Sequence, residues 1–111
     1  LAKHRARDPG ALPPGEALRC ATTRGAIALG LGKELGTIEP GRRADGVLVR
    51  MNGLHVCPGY DPLADLVYAA QGLDVEAVFV DGRPLLMKGE IQTLDVDEIK
   101  GRCRQLARRF R

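Results

Sequence analysis

Gly36-Thr37-Ile38-Glu39-Pro40-Gly41-Arg42-Arg43-Ala44-Asp45-Gly46-Val47-Leu48-Val49 is where the pattern of the chain changes. Before this stretch, small and apolar residues recur at helical spacing. From it onward, short apolar runs punctuated by Gly and Pro read as strands. Thr37 to Gly41 is an extended segment entering a Pro-Gly turn, the type II signature with Gly at the position of positive φ. Ala44 to Met51 (ADGVLVRM) reads as a strand, with Val47, Leu48 and Val49 too continuously apolar to leave one side in water.

Downstream, Val75 to Val80 (VEAVFV) is a second strand and Asp81-Gly82 a strong two-residue hairpin signal. The return strand is Arg83 to Met87, with Pro84 near its beginning, where a missing amide is tolerable. Lys88-Gly89-Glu90 turns again, and Ile91 to Leu94 gives a further short extended piece. Between the strands, Asp61 is placed as N-cap and Pro62 as the first residue of a helix whose apolar face is Leu63, Leu66, Val67 and Ala70. The last helix opens on Asp95 and Glu98, the spacing of a capping box. Val96, Ile99, Cys103, Leu106, Ala107 and Phe110 line one of its faces, which makes Cys103 a core thiol.

Upstream, residues 1–7 read as the end of a helix, broken by Asp8-Pro9-Gly10. Pro13 and Pro14 open a helix from Gly15 to Ala21. Thr22 is a plausible N-cap for a second, Thr23 to Leu29, which Gly30 stops. Leu18, Ala21, Ala26, Ala28 and Leu29 suit helices pressed closely against something, yet the first thirty residues offer no sheet to press on. A chain that starts at Leu1 in mid-pattern reads as a piece of something longer.

With 111 residues there is room for one small domain. Apolar residues at 44% and charged ones at 28% exclude a disordered or fibrous chain. No apolar run approaches the ~20 residues of a membrane span, and no signal-peptide core follows the charged start. Three widely spaced cysteines, Cys20, Cys57 and Cys103, fit a reducing cytoplasm better than a disulfide framework. Six of the 17 basic side chains fall within residues 100–111 with no acid among them, leaving 11 basic against 14 acidic groups elsewhere. Such a tail is a solvated helix face or an anion-attracting patch, and base stacking would ask for more aromatics than Phe110.

The residues carry little chemistry of their own. His4 and His55 stand 51 residues apart and no C-x-x-C occurs, so nothing local preorganises a zinc site. His55 with Cys57 supplies two ligands at best. The chain has no Ser, which excludes a Ser–His–Asp arrangement, and a Cys20 or Cys57 nucleophile lacks an evident His base. Asp61/Asp65 and Asp95/Asp97/Glu98 sit at helix starts, where capping explains them. Gly30-Leu31-Gly32 lacks the strand–turn–helix setting of a phosphate loop.

The opening stretch, G-T-I-E-P-G-R-R-A-D-G-V-L-V over residues 36–49, resembles the G-x-I-x-P-G-x-x-A-D-hydrophobic run of metal-dependent amidohydrolases. Ala21-Thr22-Thr23-Arg24-Gly25-Ala26-Ile27-Ala28-Leu29-Gly30-Leu31 is similar to the helix pair that precedes it in that family. Pro62 to Ala70 and Val78-Phe79-Val80-Asp81-Gly82-Arg83 resemble the matching helix and hairpin. Together they resemble the branch that deaminates or dechlorinates N-heterocycles. Asp8-Pro9-Gly10-Ala11-Leu12-Pro13 and Leu94-Asp95-Val96-Asp97-Glu98-Ile99 lean towards its 5′-methylthioadenosine/S-adenosylhomocysteine deaminase type. Gly46 departs from the pattern, standing where a larger apolar residue is usual.

The resemblance implies an α+β fragment covering the C-terminal quarter of such an enzyme. Residues 1–31 would be the last helices of a (β/α)₈ barrel. Residues 32–94 would be the C-terminal strands of a small composite β-sandwich, with an inserted helix near 61–71, and residues 95–111 a C-terminal amphipathic helix. It also implies, for the whole enzyme, a divalent metal, most often zinc, held by His-x-His, further His residues and an Asp. Such a metal lowers the pKa of its water to ~7 for attack on the amine-bearing ring carbon. A heterocyclic small molecule would be the substrate and a homo-oligomer the assembly, with no nucleic acid and no membrane. None of the metal motifs occurs in these residues, so no catalytic, cofactor-binding or metal-ligating residue is carried over. Asp45, Asp61 and Asp81 match family positions that read as turn and cap residues. A stand-alone binding module using the basic last helix, or an assembly piece pairing through strand edges, remains the alternative.

Overall fold

The computed structural model describes Asp8 and residues 10–110. The reading of residues 1–7 and of Pro9 lies outside the described residues. Gly10 N–H donates to Asp8 Oδ1 at 2.7 Å, a turn closed by a side chain.

Two short helices follow, α1 (Pro14–Ala21) and α2 (Thr23–Ala28). Thr22 does not cap α2 through its side chain; its Oγ1 donates back to Leu18 O at 2.7 Å. The hydroxyl serves the end of α1, because the two helices share this one junction residue. Gly30 stops α2 as expected. Its N–H reaches Ile27 O at 2.9 Å and Leu31 N–H reaches Ala26 O at 2.8 Å, the paired bonds of a Schellman ending. Pro40-Gly41 turns with Gly41 at φ 86° and Arg42 N–H on Glu39 O at 3.2 Å.

A four-stranded antiparallel sheet follows: β1 (Gly46–Val49), β2 (Val75–Val80), β3 (Arg83–Met87) and β4 (Glu90–Ile91), in that spatial order. β2 and β3 have the bounds read from sequence, because their hairpin is specified locally. Asp81 (φ 52°) and Gly82 (φ 74°) both take the left-handed conformation of a type I′ turn, whose twist matches the flanking strands. β1 is shorter than the Ala44–Met51 expectation. A register shift between Leu48 and Val49 ends the regular ladder, and Arg50 N–H bonds Asp74 O at 2.8 Å beyond it. β4 is likewise two residues rather than Ile91–Leu94.

Apolarity misled on one point. Val47 and Leu48 are 59% and 55% exposed, because β1 is an edge strand with no layer over it among the described residues. The buried apolar residues are few: Ala26, Val56 and Ala77, the last 3% exposed at the sheet centre between Leu48 and Met87.

Between β1 and β2, a 3₁₀ turn (Leu54–Val56), helix α3 (Pro62–Tyr68) and a second 3₁₀ turn (Gly72–Asp74) carry the chain across. Asp61 Oδ1 accepts from Leu63 N at 3.0 Å and Ala64 N at 3.2 Å, so the helix begins where its cap dictates. It ends at Tyr68, leaving Ala70 outside the apolar face expected to include it. α1 packs on α2 and α3, so the first helices rest on another helix instead of a sheet.

Helix α4 (Val96–Arg108) closes the described chain. Asp95 Oδ1 accepts from Glu98 N at 2.9 Å, half of the expected capping box. The Glu98 carboxylate turns instead to Arg102, at 2.7 Å. Cys103 is exposed, against the expectation of a core thiol, because α4 joins none of the packed pairs of elements. No helix among the described residues is long and apolar enough to cross a membrane.

Candidate functional site

Two of the gatherings of polar side chains among the described residues adjoin the sheet. At the β2–β3 turn, Asp45 Oδ1 accepts from Asp81 N at 2.7 Å, and Arg43 Nε donates to Asp81 Oδ1 at 3.2 Å. Arg43 also lies 3.8 Å from Glu34 Oε2. The Asp81 hydrogen bond and then its charge hold the Arg43 guanidinium above its ordinary value, so it stays a cation. Asp45 and Asp81 thus act as turn residues, as expected from their positions.

The second gathering was not read from the sequence. His55 Nε2 lies 2.7 Å from Asp74 Oδ2, joining the two 3₁₀ turns. The same oxygen accepts from Gln71 N at 2.7 Å, and Gln71 with Asp74 forms a reciprocal capping box. Asp74 is buried at 7% exposure. The Gln71 amide, then the His55 hydrogen bond, lower its pKa against the opposing effect of burial. The ring has room because residue 53 is Gly: a Cβ there would sit 2.5 Å from His55 Cε1. The Gln71-x-x-Asp74 spacing was a visible signal for the cap. The His55 contact had none, since the two residues are 19 apart and meet only once β1 and β2 pair.

Cys57 is an exposed thiol and, among the described residues, does not join His55 and Asp74 in a group of three that could hold a metal. Cys20 is exposed too. His4 lies outside the described residues. Among the described residues, no group of three or more His, Cys, Asp or Glu side chains could hold a metal ion. Asp65, Asp97 and Glu98 sit in the first turns of α3 and α4. An open cleft of about 460 Å³ beside β1 is lined by the apolar Ile38, Pro40, Ala44 and Phe79 and by the charged Glu39, Arg42, Arg43 and Asp45.

Short helices lead into a small antiparallel sheet, and the polar side chains described above serve turns and caps. The chain belongs to the amidohydrolase family, whose model matches residues 1–85. It is 44% identical over 110 residues to the 5-methylthioadenosine/S-adenosylhomocysteine deaminase of Syntrophomonas wolfei, covering 99% of this chain and 26% of that protein. With the enzyme of the same name from Moorella thermoacetica it shares 50% over 99 residues, 89% of this chain and 23% of the relative. Among solved structures, a zinc-bound adenosine deaminase from Xanthomonas campestris superposes with a TM-score of 0.89 at 38% identity, over 97% of this chain and 25% of that one. A zinc complex of atrazine chlorohydrolase from Arthrobacter aurescens gives 0.79 at 30% identity, over 93% and 23%. The chain therefore spans about a quarter of the length of the relatives it matches.

Proposed function

We propose that these residues are the C-terminal segment of a metal-dependent hydrolase that deaminates an N-heterocycle of the adenosine type. Residues 1–31 would close a (β/α)₈ barrel, residues 32–94 would form the C-terminal share of a small β-sandwich, and residues 95–111 a terminal helix. The observation that carries the reading is the identity of 44% along 99% of the chain with a deaminase of methylthioadenosine and adenosylhomocysteine. The chlorohydrolase likeness widens the substrate class to chlorinated heterocycles as the second choice.

The zinc of the structural neighbours finds no ligand cluster among the described residues. Metal, substrate and proton shuttle would all be held by parts of the longer polypeptide outside this chain, and no chemical step is assigned to its residues. Their work is structural: Asp61 and Asp95 start helices, Asp81 with Gly82 turns the sheet, and His55 with Asp74 ties the crossing to it. A homo-oligomeric, cytoplasmic enzyme is the form we expect, the latter from three thiols left unpaired.

The test is ammonia release. The protein translated from the uninterrupted coding frame, loaded with zinc, should release ammonia from 5′-methylthioadenosine or S-adenosylhomocysteine. The isolated 111 residues with zinc should release none. Zinc-dependent release by the isolated chain, or none by the full product, would overturn the reading.

A further inference from the structure

We draw no further inference here: the strongest candidate, the open cleft beside β1 lined by Ile38, Arg43, Asp45 and Phe79, belongs to a chain that spans about a quarter of the length of its relatives, and nothing in the structure shows what covers it.

Discussion

The β2–β3 hairpin and helix α4 are the two most regular parts of the molecule, and they are finished to different degrees. The hairpin carries its own turn, its own ladder and a buried centre at Ala77. α4 has a cap and a full run of helical residues, yet its apolar side chains face outward. Both were written clearly in local sequence. Local sequence specifies backbone, and burial needs a second surface, which the hairpin finds in β1 and α4 does not find within the described residues.

If that contrast is right, a change at the hairpin centre should hurt most. Ala77→Asp buries a carboxylate between two strands and should cost about 3–5 kcal/mol in denaturant unfolding. Next comes the turn. A Cβ at Gly82 meets only Ala44 Cβ, at an ordinary 3.9 Å, so Gly82→Ala isolates the left-handed backbone strain. It should cost about 1–2 kcal/mol by the same measurement. A loss near zero would mean that the turn relaxes and that the hairpin is less rigid than its pairing implies.

The acid limb of stability tests the tie between hairpin and crossing. Asp74 has a lowered pKa in the fold, so its contribution is fully present above the unfolded value of about 3.9. It is lost as the pH falls through the lower folded value. Asp74→Asn should flatten that limb, read as the melting temperature between about pH 5 and 2. A limb left unchanged by Asp74→Asn would show that the His55–Asp74 contact does not hold the crossing. The smallest effect belongs to α4: Leu106→Ser in the isolated chain should change stability by no more than about 0.5 kcal/mol, since Leu106 is half exposed there.

The same division explains what could be read in advance. The bounds of β2 and β3 followed from Asp81-Gly82 and the flanking apolar runs, and the starts of α3 and α4 from their aspartate caps, because each signal acts within a few residues. The exposure of Val47, Leu48 and Cys103 was misread, since an apolar run states what a segment would bury but not whether its cover is in the same 111 residues. The Gln71-x-x-Asp74 spacing of the cap was legible by inspection. The His55–Asp74 tie was not, because it exists only in the register that pairs β1 with β2. The family resemblance was legible in a run of fixed positions over residues 36–49, which lies within the residues 1–85 that the family model matches.

The most direct test of the account is to read the coding DNA upstream of the Leu1 codon. A supporting segment of an amidohydrolase requires an open frame continuing for a few hundred codons, with His-x-His, later histidines and an aspartate in its course. A start codon immediately upstream of Leu1 would contradict it, because no metal-holding part would then exist for these residues to support.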